Sequence, residues 1–154
     1  MQKALGDAPG RLPIYRLDQG SELGTASLRV DAASIGFFSD MVEIETIDRL
    51  ADQLPRPDFI KIDVEGYQWE LLQGATGFFS GHRPMVMAEM EDPDKELMRR
   101  TEEFFRTRDY LIYEFRKRCL RPSPDTTASR SRNFLLCPSA SPYRDRIAPL
   151  VGLA

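Results

Sequence analysis

The chain has 154 residues, 42% hydrophobic and 29% charged, with a formal net charge of −3 and a mean hydropathy of −0.40. That length fits one domain with a real core; no apolar run approaches the roughly 20 residues of a membrane helix, the first residues lack the apolar stretch of a secretion signal, and a single histidine with no paired cysteines leaves no Cys/His metal pattern. Residues 1–98 carry a charge of −9 and residues 99–154 carry +6, but no aromatics interleave with glycine, so the basic half reads as a solvated face and not as a nucleic-acid surface.

Residues 4–7 form a short apolar stretch that ends in Gly-Asp, as a strand running into a loop does. Residues 12–17 alternate weakly and predict a second strand, 18–25 are polar and glycine-rich, and 26–30 and 41–45 predict two more strands joined by a turn-rich segment at 34–40. Thr46 is placed to cap a short helix in which Ile47, Leu50, Ala51 and Leu54 recur at helical spacing. Pro55 and Pro57 end it.

Residues 59–62 are apolar and β-branched apart from Lys61, which fits a buried parallel strand. A turn at 63–66 leads into a helix over 67–73 that closes on Gly74, with a further helical piece around Phe78, Phe79 and Gly81. Pro84 introduces a strand over 85–90. From Pro93 to Asp109 the pattern is an amphipathic helix: Leu97, Met98, Thr101, Phe104 and Phe105 share one face, and Arg99, Arg100, Glu102 and Glu103 are expected in water. A half-buried strand at 110–115, a Pro/Ser/Thr/Arg-rich loop at 121–132 and a last strand at 134–137 complete the chain. Cys119 and Cys137 sit in apolar stretches and are expected to be reduced. Strands alternating with helices predict a mostly parallel sheet covered on both faces. The last two strands, joined without a helix, predict an antiparallel hairpin.

Asp63 and Glu65 flank Val64 directly after a buried strand, and ligands of open α/β sheets bind beyond the carboxyl ends of strands. Residues two apart on an extended segment point the same way, so the pair is placed to grip a ligand or act as a base. Capping the following helix explains the same two carboxylates equally well. A third use, as oxygen ligands of Mg2+ or Ca2+, lacks a further carboxylate cluster beyond Glu89 and Glu91, and no metal is expected. Glu89 ends the next strand and faces the same rim, beside the loop carboxylates Glu91 and Asp92. His82 reads as a surface residue at a helix end. Trp69 and the Phe104–Phe105 pair read as core.

The stretch IKIDVEGYQWELLQGA resembles the signature of FkbM-type S-adenosylmethionine-dependent methyltransferases, through Lys61, Ile62, Asp63, Val64, Glu65, Gly66, Glu70, Leu71, Leu72, Gly74 and Ala75. Other features are similar and fall in order: Ala4-Leu5-Gly6-Asp7, Gly10, Thr46-Ile47-Asp48, Arg83-Pro84, Glu89 and Asn133-Phe134-Leu135. The resemblance implies an incomplete Rossmann-like class I methyltransferase fold, a single partial domain over 1–154 running from the family's strand 3 to its strand 7, in a sheet ordered 3-2-1-4-5-7-6. It implies S-adenosylmethionine as cofactor and O-methylation of a small molecule or sugar hydroxyl; a cytoplasmic location is the expectation from composition alone. Asp7 and Asp63 would contact the cofactor, Asp63 and Glu65 would be catalytic, and Glu65 and Glu89 would bind the substrate. Asp7 is equally well explained as a turn residue before Pro9-Gly10. The family's glycine-containing cofactor loop and the acidic residue after its strand 2 do not precede Ala4. The chain is therefore expected to be weak or inactive alone, its strand at 59–62 lacking a neighbour. The alternative is a non-catalytic module that associates with itself or a partner through that exposed edge.

Overall fold

Asp58 and Pro57 release the chain into β5 (Phe59–Ile62), the strand on which the functional reading turns; the elements on either side of it fall into two separate units. The computed structural model describes residues 2–16, 26–28, 37–64, 66–90, 95–117 and 119–152. Unit 1 comprises Met1–Pro55 with Val64–Phe78, and unit 2 comprises Arg56–Asp63 with Phe79–Ala154.

Unit 1 holds a four-stranded sheet of β1 (Ala4–Leu5), β2 (Gly10–Arg16), β3 (Ala26–Ser27) and β4 (Phe37–Glu45), in the order β1-β4-β2-β3. β1 runs parallel to β4, whereas β2 is antiparallel to β4 and β3. The turn-rich connection expected at 34–40 is corrected from Phe37 onward: Phe37, Phe38 and Asp40 pair with β2, and a register shift between Ile14 and Tyr15 absorbs the irregularity. The expected strand ends at Leu17, Val30 and the 31–36 segment lie outside the described residues.

Thr46 caps α1 (Ile47–Leu50), its hydroxyl accepting from the Arg49 N–H at 3.2 Å, and the chain continues as a 3-10 turn at Ala51–Gln53. Gly66 takes φ +86°, the left-handed region open to glycine, where the chain turns out of Val64 into α2 (Gln68–Gln73). Leu71, Leu72 and Ala75 are buried, as are Ile44, Ile47 and Leu50. α3 (Thr76–Gly81) follows. Its N-terminus is capped from a distance by Asp48, whose two carboxylate oxygens accept from the Gly77 and Phe78 N–H groups at 3.0 and 2.7 Å. This satisfies donors that a helix start leaves unpaired.

Unit 2 holds a five-stranded sheet ordered β5-β6-β9-β7-β8, with β6 at Met85–Glu89, β7 at Tyr110–Arg116, β8 at Cys119–Pro122 and β9 at Asn133–Pro138. Its first four strands follow the run 4-5-7-6 of the expected order. The sheet is mixed, which corrects the mostly parallel expectation. β5 and β6 are parallel, but β9 is antiparallel to both β6 and β7, and β8 is antiparallel to β7. The cause is topological. β5, β6 and β7 run the same way; β7 hairpins into β8, and residues 123–132 then carry the chain past β7 to β9, which runs in the direction of β8 and so against β7; by entering between β6 and β7 it turns both of its contacts antiparallel.

α4 (Lys95–Arg106) supplies Phe104 and Phe105, which meet Phe79 edge-to-face at centroid distances of 5.8 and 5.3 Å, and Phe105 meets Tyr110 at 5.2 Å. These rings are core, as the sequence implies. Glu102 is not in water, however: it is buried, and one carboxylate oxygen accepts from both the N–H and the hydroxyl of Thr126 at 2.8 Å. Its other oxygen accepts from Arg106 Nε at 2.6 Å. That anchor explains the second correction in this unit. Residues 121–132 are not plain loop, since β8 extends to Pro122 and a 3-10 turn occupies Thr126–Ala128. Cys119 and Cys137 are both free thiols, and burial pushes the Cys137 thiol up. No helix among the described residues is long and apolar enough to cross a membrane.

Candidate active site

In unit 2 the site grows from the parallel register of β5 and β6. Lys61 stands opposite Met87 and Ile62 opposite Ala88, so Asp63 and Glu89 follow in step at the carboxyl ends of adjacent parallel strands. Alternation puts Lys61, Asp63 and Glu89 on one face. Lys61 Nζ donates to Asp63 Oδ2 at 2.6 Å. That hydrogen bond and charge, with a smaller pull from Glu89, push the Lys61 ammonium up from its ordinary value. Glu89 is itself 3.9 Å from Arg132, which precedes β9. The rim is therefore an alternating array of two carboxylates and two cations. Asp63 and Glu89 are each about one-third exposed at the side chain, at 34% and 35%, so both are open to a ligand. Among the described residues, Asp63 Oδ1 accepts no hydrogen bond.

In unit 1, Asp7 follows Gly6 at the carboxyl end of β1, which is parallel to β4, and its side chain is exposed. Tyr67 is buried beside Gly6. Burial, then the charges of Glu70 and Asp7, push its phenol up. One carboxylate oxygen of Glu70 is buried without a hydrogen-bond partner among the described residues. Gly6 N–H donates to Glu45 O at 3.0 Å, which fixes the end of β1 from which Asp7 projects.

Of the residues singled out in the sequence, Asp63 and Glu89 are brought together, and Asp7 occupies the corresponding strand end of the other unit. Glu65 lies outside the described residues. The His82 carbonyl accepts from Arg56 at 3.4 Å. Sequence reasoning missed Lys61, which looked like an interruption in an apolar strand. The signal was the two-residue spacing to Asp63, which on a strand places both side chains on one face. Tyr67 was also missed, because it reads as the first residue of a helix. No group of three His, Cys, Asp or Glu that could hold a metal occurs among the described residues.

The chain is mixed α/β, and its carboxylates stand at the carboxyl ends of parallel strand pairs, the position where open α/β sheets hold ligands. The family model of the methyltransferase FkbM domain matches residues 7–119, and the chain belongs to that family. The crystal structure of methyltransferase FkbM from Methylobacillus flagellatus KT is similar in fold, at 21% identity and a TM-score of 0.50. The match covers 87% of the present chain and 26% of that one, so this chain spans about a quarter of its length. No curated protein matches the chain.

Proposed function

We propose that the chain takes part in methyl transfer from S-adenosylmethionine to a hydroxyl of a small molecule or sugar, on a fold of the incomplete Rossmann-like class I type. Membership of the FkbM methyltransferase family supports the reaction class. The observation that carries the site is the pairing of Asp63 with Lys61 at the carboxyl end of β5, one strand from Glu89.

The donor chemistry of the chain suits that cofactor. Exposed carboxylates accept hydrogen bonds from amines and hydroxyls, so within unit 2 Asp63 would hold the cationic part of the cofactor; Asp7 offers the same acceptor chemistry in unit 1. When bound, the cofactor supplies an electrophilic methyl group on a sulfonium. The residues of this chain do the rest by positioning, which can account for much of the rate of an in-line displacement. Lys61 donates to Asp63 Oδ2 and fixes the carboxylate plane, so that Oδ1 would orient a donor. Glu89 is the second acceptor on that rim and would orient the substrate hydroxyl. Glu65, two residues beyond Asp63, is assigned the base role or the capping of α2; a positioned carboxylate contributes roughly 100- to 10,000-fold when it takes the hydroxyl proton.

Isothermal titration of the chain with S-adenosylmethionine tests this reading. We expect saturable heat, weakened about 10- to 100-fold by Asp63→Asn through loss of a charge-assisted hydrogen bond. Absence of heat at about 1 mM cofactor, an affinity weaker than roughly 4 kcal/mol, would refute it.

A further inference from the structure

The carboxyl rim of unit 2 continues past Asp63 and Glu89. Asn133 pairs with Glu89, and Phe134 pairs with Glu114, so the residues that lead into β9 cross the same end of the sheet. They are tied down there. The Ser129 hydroxyl donates to Glu114, and Ser131 N–H donates to Ser129 Oγ at 2.9 Å. The Ser131 hydroxyl donates to Asn133 O at 2.8 Å, and Met90 N–H donates to Arg132 O at 2.7 Å. Exposure alternates along the segment: Ser129, Ser131 and Asn133 are half-buried, whereas Arg130 and Arg132 are exposed. The serines pin the backbone, and the two arginines between them meet solvent.

The charges on this stretch do not cancel. Asp63 is engaged by Lys61 at 2.6 Å, and Glu114 by Arg116 at 2.6 Å. Glu89 meets Arg132 at 3.9 Å, beyond hydrogen-bond range. Arg130 has no ion-pair partner among the described residues, so it stands in excess. A guanidinium presents five N–H donors in a planar fork that fits a carboxylate or a phosphate, more than Glu89 fills at that separation. Glu89 and Asn133 lie one strand apart, about 4.8 Å, a span comparable with the width of a sugar ring. A ligand whose hydroxyl lies against Glu89 therefore carries a substituent across the ring toward the segment of Arg130 and Arg132. Resting on the role given above to Glu89, we propose that the methyl acceptor bears an oxyanion, a carboxylate or a phosphate ester, and that Arg130 and Arg132 recognise it. A neutral acceptor would gain nothing from Arg130, whereas an anion gains a charge-assisted hydrogen bond from it.

Amide NMR titration of the isotope-labelled chain with glucuronate, glucose 6-phosphate, glucose and inorganic phosphate reads the proposal, each ligand being taken to about 20 mM because compounds of this size bind at roughly the millimolar level. Saturable shifts at Glu89 and residues 129–133 are expected with at least one of the two anionic sugars, at least about 10-fold tighter than with glucose or inorganic phosphate. Whichever sugar binds identifies the oxyanion as carboxylate or phosphate. Arg130→Ala and Arg132→Ala should each weaken that binding about 10-fold, added salt should weaken it further, and R130K/R132K, which keeps the charge but loses the fork, should recover only part of it. Spectral dispersion shows whether the variants fold; if one does not, the parent's preference for an anionic sugar over glucose still decides. No saturation with either anionic sugar, glucose or inorganic phosphate bound as tightly, or R130A/R132A that keeps the affinity would overturn the proposal. Titration of the parent chain with S-adenosylmethionine is read separately. Cofactor binding without anion binding refutes the acceptor assignment alone, whereas arginine-dependent anion binding without cofactor binding refutes methyl transfer and leaves the oxyanion site standing.

Discussion

Gly74 closes the signature stretch, and the reason it must be glycine is steric. Its φ is −80°, which any residue adopts, so conformational freedom is not what fixes it. A Cβ at this position would stand 1.9 Å from the Gly6 carbonyl oxygen and 3.2 Å from Thr46 Cβ. Ordinary contact begins at 3.4 Å, so in Gly74→Ala the Gly6 carbonyl must retreat by about 1.5 Å. That carbonyl is backbone at the end of β1 and cannot rotate away. The Gly6 N–H bond to Glu45 O (3.0 Å) and the Asp48 N–H bond to Gly74 O (2.9 Å) are strained with it. Overpacking costs ~1–3 kcal/mol and a weakened hydrogen bond ~1 kcal/mol, so about 3 kcal/mol is expected. In a chain of this size that lowers the melting temperature by about 6–12 °C. Gly81→Ala is the control: nothing lies within 4 Å of its Cβ, and its effect should stay within about 0.5 kcal/mol. The comparison is read by thermal melting and urea unfolding of both variants. If Gly74→Ala melts within about 1 °C of the parent, the packing account of the motif is wrong.

Glu102→Ala should cost about 2–4 kcal/mol, because it strands the buried Thr126 N–H and hydroxyl and frees Arg106 from its anchor; urea midpoints check it, and a loss below about 0.5 kcal/mol would refute the anchor. At Glu114, burial pushes the carboxyl up, but hydrogen bonds from Arg116 and Ser129 outweigh burial and hold it below its ordinary value. The folded state therefore binds this proton less tightly than the unfolded chain. Its contribution is complete above the ordinary carboxylate range and is lost as pH falls through the depressed folded value. Urea midpoints across the acid range should fall less steeply for Glu114→Gln than for the parent, and identical slopes would contradict the assignment.

The sequence reached furthest where the local pattern and the tertiary environment agree. The Thr46 cap, the strands expected at 59–62, 85–90 and 134–137, and the Phe104–Phe105 core face follow from local pattern, with strand ends off by a residue. It failed where a distant partner decides. Glu102 looks like a solvent residue because its own helix places it among Arg99, Arg100 and Glu103; its burial is caused by Thr126, 24 positions away. Asp48 reads as an ordinary first-turn acid of α1, yet its carboxylate caps α3. The mixed character of the unit 2 sheet was hidden for the same reason. β5, β6, β7 and β9 were expected as strands and β8 was not, and pairing direction depends on which gap β9 enters. At the candidate site, Asp63 and Glu89 were legible as strand-end carboxylates, whereas Lys61 was read for its hydropathy and not for its face.

These observations divide the signature into two parts with different physical causes. Gly66 serves the turn through its positive φ, Leu71, Leu72 and Ala75 serve burial, and Gly74 serves a backbone contact with Gly6. Packing therefore accounts for this latter part without reference to chemistry. Packing does not account for Lys61 and Asp63. They are exposed, they pair with each other, and the pair adds little to stability because solvent screens it. An exposed ion pair at the carboxyl end of a strand can act on what meets it from outside, and at this rim that is a ligand held by the Asp63 carboxylate, whose plane Lys61 fixes. Asp63→Asn keeps the shape and removes the charge, so cofactor binding unchanged by it, with the melting temperature also unchanged, would refute the rim role of the pair.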